Sequence, residues 1–257
     1  MTVSNRSFEE LVAEAETVSV DGWEFSWLDG RATEERPSWG YARSMAERMA
    51  RATSALDIQT GGGEVLATVP KFPPVTVAIE YWPPNIAIAT ARLHPRGVAV
   101  VAVEDVPVFP FADNAFDLVV SRHPINNYWE EIARVLRPGG TYFSQQVGPA
   151  TVIELKEYFL GPQPDAYKSR DPEVARAEAE AVGLEVIDLR LESLRMEFFD
   201  IGAVIYFLRK VVWTIPDFSV DKYRDKLRDL HDHIQSKGSF VAHSTRFLIE
   251  ARKRMTV

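Results

Sequence analysis

SALDIQTGGGE, residues 54–64, is an apolar run that ends in a cluster of three glycines. Glycine has no Cβ atom, so a glycine turn lets the backbone approach a ligand closely. We expect a helix to begin after Gly62, and the N-terminus of such a helix would present free amide groups. The stretch therefore predicts a ligand-binding loop at the end of a buried strand.

Downstream of this loop, short apolar runs alternate with helical segments. This alternation is typical of βαβ units, and the near-continuous apolar character of the runs predicts strands that are covered on both faces. The sequence thus predicts an α/β fold with a doubly wound, seven-stranded, mostly parallel sheet. The predicted strands are residues 54–59, 75–80, 98–104, 116–121, 140–147, about 184–192 and 239–252.

Two segments stand outside the alternation. Residues 1–52 are interpreted as a helical, aromatic-rich leader and lid, and residues 197–237 as a helical cap inserted between the last two strands. Residues 53–196 and 238–257 would form the core domain. Leader aromatics could either close over a ligand or pack as core, because each buries a large area wherever it finds cover. Those aromatics include Trp23, Trp27, Trp39 and Tyr41.

Composition limits the classes of function. The 257-residue chain has a formal net charge of −8 and no dense basic run, which disfavours a nucleic-acid partner. It contains no cysteine, so disulfides and zinc–thiolate sites are excluded, and no metal site is predicted. The N-terminal segment is polar and acidic and lacks the apolar core of a signal peptide, and no apolar run approaches the length of a membrane span. We therefore expect a cytoplasmic protein without a membrane partner, and leave a homodimer open.

Three kinds of glycine loop compete at residues 57–63. A phosphate-binding P-loop requires Lys-Ser/Thr after the glycines, and a dinucleotide loop requires a third glycine where Leu66 stands. The loop instead resembles motif I of class I S-adenosylmethionine-dependent methyltransferases, Asp-x-Gly-x-Gly-x-Gly, through Asp57, Gly61 and Gly63. Gln59 replaces the first glycine of that motif. Its side chain either points away from the cofactor or weakens cofactor binding.

Three further segments extend this resemblance in the order that the family shows. Glu80 ends a strand, where an acid can accept both ribose hydroxyls of a nucleoside. The segment 105–117, DVPVFPFADNAFD, and the turn Leu136-Arg137-Pro138-Gly139-Gly140 also match. The resemblance implies that Asp105 accepts the adenine amino group and that the Val106 amide meets the ring, with Glu104 as the competing acid. The predicted cofactor residues are Asp57, Gln59, Thr60, Gly61, Gly62, Gly63, Glu80, Tyr81, Asp105, Val106 and Ser121.

The substrate is expected beyond the carboxyl ends of the strands, near the point where the strand order reverses. His123 is the candidate general base there, although it could equally hold the loop. Methyl transfer needs no obligatory base, because alignment of the reactants supplies much of the rate. The predicted substrate residues are Trp27, Arg122, His123 and Gln145.

The resemblance therefore implies transfer of a methyl group from S-adenosylmethionine to a small-molecule oxygen or nitrogen. Methylation of RNA is one alternative. The other is a catalytically silent protein that keeps the fold and the cofactor.

Overall fold

The computed structural model describes residues 6–23, 25–104 and 108–255, which contain eight strands and eight α-helices. The strands are β1 (Ala32–Glu34), β2 (Ser54–Ile58), β3 (Val75–Glu80), β4 (Ala99–Ala102), β5 (Phe116–Arg122), β6 (Leu136–Val147), β7 (Leu184–Phe198) and β8 (Phe240–Lys253). The helices are α1 (Phe8–Thr17), α2 (Tyr41–Met49), α3 (Pro83–Leu93), α4 (Trp129–Val135), α5 (Ile153–Leu160), α6 (Pro172–Ala181), α7 (Ile201–Lys210) and α8 (Val220–Lys237).

The strands form one sheet in the order β1-β7-β8-β6-β5-β2-β3-β4. Strands β2 to β6 pair in parallel, whereas β8 pairs antiparallel with β6, and β1 with β7. The predicted α/β sheet with helices is thus confirmed, as a mixed sheet whose strands β2 to β6 are parallel. From β2 the chain moves outward through β3 and β4, then returns to the opposite side of β2 as β5. The strand order therefore reverses between β2 and β5, and their carboxyl ends border the crevice.

The predicted strand count is wrong, because the sheet has eight strands instead of seven. The additional strand is β1, which lies within the predicted leader and pairs antiparallel with the end of β7. Three residues are too few to give a readable alternation of apolar and polar side chains. Strand β7 also continues to Phe198, past the predicted boundary near residue 192.

The helix predicted after Gly62 is also wrong. The chain makes turns after Gly63 and then only a short 3₁₀ segment, Leu66–Thr68. Pro70 follows closely, and the residue before a proline is disfavoured in helical conformation, so the space is too short for an α-helix. The glycine loop consequently has no α-helix N-terminus of its own.

Two compact units make up the chain. The first consists of Met1–Arg36, Pro149–Ser169 and Ser193–Thr245. Its core contains apolar side chains of α1, α5, α7 and α8. Ser7 begins α1 with a capping box to Glu10, and Asp200 caps α7 while forming a bidentate ion pair with Arg31.

The second unit consists of Pro37–Gly148, Arg170–Glu192 and Arg246–Val257. Successive residues of β2 contribute to two separate apolar clusters: Ala55 belongs to one, and Leu56 and Ile58 to the other. Since neighbouring side chains of a strand point to opposite faces, the sheet is covered on both sides, as the apolar runs predicted. This unit contains the glycine loop and the carboxyl ends of β2, β3 and β5.

Candidate functional site

The glycine loop follows β2 and is organised around one carboxylate. Gly61 and Gly63 have φ angles of 63° and 74°, in the left-handed region that favours glycine. A Cβ atom on Gly63 would lie 2.7 Å from Leu93 Cδ1. The amide of Gly61 donates a hydrogen bond to Glu80 Oε2 over 2.7 Å. Gly63 therefore serves loop packing, while Gly61 connects the loop to β3.

Glu80 has an additional role that the sequence did not indicate. Its other oxygen, Oε1, accepts the amides of Tyr81 and Trp82 at 2.9 and 3.0 Å. A carboxylate offers about four lone-pair positions, of which three are filled by the chain itself. Glu80 thus uses three of its lone-pair positions to hold the backbone of the loop and retains about one position for a ligand hydroxyl.

Polar groups of the loop are buried beside Glu80. Burial raises the pKa of Asp57 to about 7, and the negative charge of Glu80 acts in the same direction. The Thr60 hydroxyl lies close enough to this carboxyl to oppose the rise in its pKa, but Thr60 Oγ1 is buried and makes no hydrogen bond of normal geometry with the described residues. A buried hydroxyl without a partner is costly, so Thr60 Oγ1 is a group that a ligand would satisfy.

A pocket adjoins the loop, and its lining combines acidic and apolar side chains. Its free volume is about 10 Å³, room for about one water molecule. A nucleoside is larger than this free volume. Asp105 and Val106 lie outside the described residues, so the choice between Asp105 and Glu104 stays a prediction. The lining residues are Ile58, Gln59, Ile79, Glu80, Tyr81, Val103, Glu104, Phe109 and Tyr128.

Gln59 adopts a φ angle of 56°, in the left-handed region that glycine occupies most easily. This backbone conformation explains why the motif that the loop resembles has a glycine at this position. Its side chain reaches the segment after β5. Oε1 accepts the Ile125 amide over 2.7 Å, and Nε2 donates to the Asn126 carbonyl over 2.9 Å. Gln59 consequently connects the loops that follow β2 and β5, on the two sides of the crevice.

The end of β5 is occupied by a buried hydroxyl network. Ser121 Oγ lies 2.8 Å from the Tyr142 hydroxyl and 2.9 Å from Ser144 Oγ. The Tyr41 hydroxyl donates to the Ser121 carbonyl, and its ring stacks on Phe143 at 5.2 Å. Tyr41 is therefore a core residue. The network also accounts for the burial of Ser121, the predicted cofactor ligand, without any ligand.

His123 follows β5 with a φ angle of 55°. Its Nε2 lies 2.9 Å from Gln145 Nε2, while Gln145 Oε1 accepts the indole N–H of buried Trp39 over 2.8 Å. Burial and the positive charges of Arg122, Arg246 and Arg170 hold the pKa of His123 well below its usual value. His123 and Gln145, both predicted substrate residues, are thus in direct contact. Trp39, which connects to them, is a buried residue of the second unit.

Two predicted substrate residues have different surroundings. Arg122 is exposed at the end of β5, opposite Gln145 in the β5–β6 register. Trp27 belongs to the first unit, where its ring lies 4.8 Å from that of Tyr206 and 3.8 Å from the Arg31 guanidinium carbon.

The described residues contain no group of three acidic, histidine or cysteine side chains that could hold a metal ion. Among the helices formed by these residues, none combines the length and the apolar character that a membrane span requires.

Comparison with known proteins gives one family match, in which residues 56–144 match the family described as Methyltransferase domain. Demethylmenaquinone methyltransferase of Thermus thermophilus is 34% identical over 94 residues, covering 33% of this chain and 43% of that protein. A Mycobacterium ulcerans protein named phthiotriol/phenolphthiotriol dimycocerosates methyltransferase 2 is 32% identical over 127 residues, covering 45% and 48%. The chain thus spans about half or less of the length of these curated relatives.

Solved structures share the fold at low sequence identity. A Bacillus halodurans protein assigned as a methyltransferase has a TM-score of 0.60 and 18% identity, with 83% of this chain and 99% of that chain covered. The [4+2]-cyclase SpnF has a TM-score of 0.51 and 19% identity, with 84% and 81% covered. At these identities the likeness concerns the fold, which hosts more than one chemistry.

Proposed function

We propose that this chain is a class I S-adenosylmethionine-dependent methyltransferase, which transfers a methyl group from that cofactor to a small-molecule oxygen or nitrogen nucleophile. The match of residues 56–144 to the methyltransferase domain and the two partly aligned methyltransferases support this proposal. The observation that carries the proposal is the loop after β2. It combines two left-handed glycines, an acid at the end of β3, and the buried Thr60 hydroxyl without a partner. These features fit a polar, nucleoside-containing ligand.

The residues of the second unit would hold the cofactor in complementary ways. Glu80 would accept one ribose hydroxyl at its remaining lone-pair position, and Thr60 Oγ1 would hydrogen-bond a polar group. Ile79, Val103 and Phe109 would pack against an aromatic base. When bound, S-adenosylmethionine supplies an electrophilic methyl group on a sulfonium, which a nucleophile displaces in line.

The acceptor is proposed to be a small molecule. Both curated relatives are named for small-molecule acceptors, a quinone and a lipid. The net charge of −8 weighs against an RNA acceptor. The chain's own contribution would be to bind the acceptor at the ends of β5 and β6 and to exclude water, since alignment accounts for much of the rate of a displacement reaction.

A second candidate is a catalytically silent protein of the same family. The nearly filled pocket and the Gln59 side chain across the crevice support it, because both have to adjust before a cofactor of this size binds. A silent protein and an enzyme would both bind the cofactor, but only the enzyme would methylate an acceptor.

Isothermal calorimetry with S-adenosylmethionine and S-adenosylhomocysteine tests the proposal. Thr60→Val removes the orphaned hydroxyl at nearly constant volume, and we expect it to weaken S-adenosylhomocysteine binding about fivefold, the value of one hydrogen bond. Thr60→Ser retains the hydroxyl and is the matched control, with little expected loss.

The outcomes separate the two candidates. Absence of binding at millimolar concentration would rule out both. Binding together with methylation of at least one member of a panel of phenols, acids and amines supports the enzyme. Binding without product across that panel supports the silent protein.

A further inference from the structure

Trp39 fixes the orientation of the Gln145 side chain. An indole N–H can only donate, so the Gln145 atom 2.8 Å from Trp39 Nε1 is the amide oxygen. Both side chains are buried, with 6% and 4% of their surface exposed, which leaves little room for the amide to rotate. The Gln145 NH₂ group must then point toward His123.

This orientation determines where His123 carries its proton. The NH₂ group of Gln145 donates over 2.9 Å, so His123 Nε2 has to accept with its lone pair. A neutral imidazole has one N–H, which is consequently on Nδ1. If Nε2 were protonated, its N–H would point at the N–H of the Gln145 amide, and the two donors would repel each other. The hydrogen bond from Gln145 therefore disfavours the imidazolium form of His123.

The ring is also held through its backbone. The His123 amide donates to the Gln145 carbonyl over 2.7 Å, so main chain and side chain of His123 both depend on one residue of β6. Within the described part of the chain, Nδ1 makes no hydrogen bond, and it is not among the buried polar atoms without partners. The Nδ1–H group is therefore open to solvent or to a ligand.

Three arginines contribute positive charge in the region of His123. Arg122 lies opposite Gln145 in the β5–β6 register, and Arg246 lies opposite Val147 in the β6–β8 register. Together with Arg170, they act on His123 in the direction that disfavours the charged ring. A fixed N–H donor in a region of net positive charge matches an anionic oxygen, such as a carboxylate, phosphate or phenolate.

We propose that His123, held in its Nδ1–H form by Gln145 and Trp39, donates a hydrogen bond to an anionic oxygen of the methyl acceptor. The identification of the ligand as the acceptor rests on the proposed function. His123 then binds and positions, in contrast to the general base that the sequence suggested. The acceptor class becomes small molecules that carry an anionic oxygen.

The tautomer is tested first, by ¹⁵N NMR of the histidine rings against pH without any ligand. We expect wild-type His123 to remain neutral with its proton on Nδ1 down to a pH well below 6.5. Gln145→Glu keeps an oxygen for Trp39 but presents an acceptor to Nε2, so the proton should move to Nε2 and the ring should titrate at higher pH. Trp39→Phe releases the amide and should produce a mixture of tautomers. A proton on Nε2 in the wild type would overturn the inference.

Acetate is the probe for the anion, with chloride at equal ionic strength as its control. We expect a saturable shift of the His123 ring resonances with acetate but not with chloride. At a pH where the ring of Gln145→Glu is neutral, with its proton on Nε2, the Nδ1 donor is lost and acetate binding should be at least about tenfold weaker. Equal effects of both anions, or an unaffected Gln145→Glu, would contradict the subsite. Neither measurement needs a cofactor. If acetate binds but no methyl transfer is found, the proposed function is rejected. If methyl transfer is found but acetate does not bind at His123, only this subsite is rejected.

Discussion

Two residues with side chains occupy left-handed backbone conformations at the edge of the crevice. Gln59 follows β2 with a φ angle of 56°, and His123 follows β5 with a φ angle of 55°. Such a conformation costs a residue other than glycine about 1–2 kcal/mol. At both positions the side chain makes hydrogen bonds that offset this cost, so the strain is maintained by specific contacts between neighbouring loops.

Gln59→Gly relieves the strain but removes both hydrogen bonds to the segment after β5. The gain of about 1–2 kcal/mol is opposed by two bonds of about 0.5–1.5 kcal/mol each and by the entropy of glycine. From the middle of these ranges, we expect the free energy of unfolding to decrease by about 1 kcal/mol. The Ile125 amide, which loses its acceptor, should exchange at least about tenfold faster in hydrogen exchange, with the amides of β3 as an internal control. Unchanged exchange at Ile125 would contradict the contact.

Asp57 predicts a pH-dependent stability. Its pKa of about 7 in the folded chain lies above its ordinary value of 3.8, so the folded state binds the proton more tightly. The contribution to stability is complete below pH 3.8 and decreases as the pH rises to about 7. Asp57→Asn abolishes this loss. The free energy of unfolding of the variant minus that of the wild type should therefore increase by about 2–3 kcal/mol from pH 5 to pH 8.

Urea unfolding of Asp57→Asn and wild type at the two pH values measures this difference. Asp225→Asn, on the exposed surface of α8, controls for the effect of asparagine itself. A difference between Asp57→Asn and wild type that is the same at both pH values would show that Asp57 does not titrate in this range.

At the scale of elements, the parallel strands could be predicted from the sequence, but the three-residue strand β1 and the conformation after the glycine loop could not. The residues of β2 and β3 form apolar runs, and burial of such runs is a local signal that the sequence carries. The conformation after Gly63 depends instead on the side chain of Leu93 and on Pro70, which ends the 3₁₀ segment early. The motif alone resembled loops that open into a helix, and it contained no information on this packing.

Gly63→Ala tests the packing of this loop against α3. The new Cβ atom would lie 2.7 Å from Leu93 Cδ1 and would also suffer the left-handed strain at a φ angle of 74°. Gly97→Ala is the matched control: its φ angle is 82°, but no atom lies within 4 Å of the added Cβ. We expect the control to lose about 1 kcal/mol of unfolding free energy, and Gly63→Ala to lose about 1–3 kcal/mol more, through overpacking. Equal losses in chemical denaturation would mean that Leu93 moves freely.

At the scale of the whole molecule, the sequence predicted the sheet type because alternation persists over more than a hundred residues. It missed contacts that join distant residues. The hydrogen bond from Trp39 to Gln145 spans 106 positions, and the contact of Gln59 with Asn126 spans 67. Neither pair produces a periodic pattern, so these contacts became visible only in the folded chain.

Net charge provides the last prediction. A chain with a formal charge of −8 repels a polyanion, and RNA binding draws its affinity chiefly from neutralised phosphates. The arginines near His123 are few, which suits one anionic group better than a nucleic-acid backbone. In fluorescence anisotropy at low salt, we expect binding of a labelled single-stranded RNA to be weaker than about 10⁻⁴ M, while acetate still shifts the His123 ring. A basic RNA-binding protein under the same conditions serves as the positive control. Micromolar RNA binding that weakens steeply with salt would instead favour an RNA acceptor, and the small-molecule assignment would then be wrong.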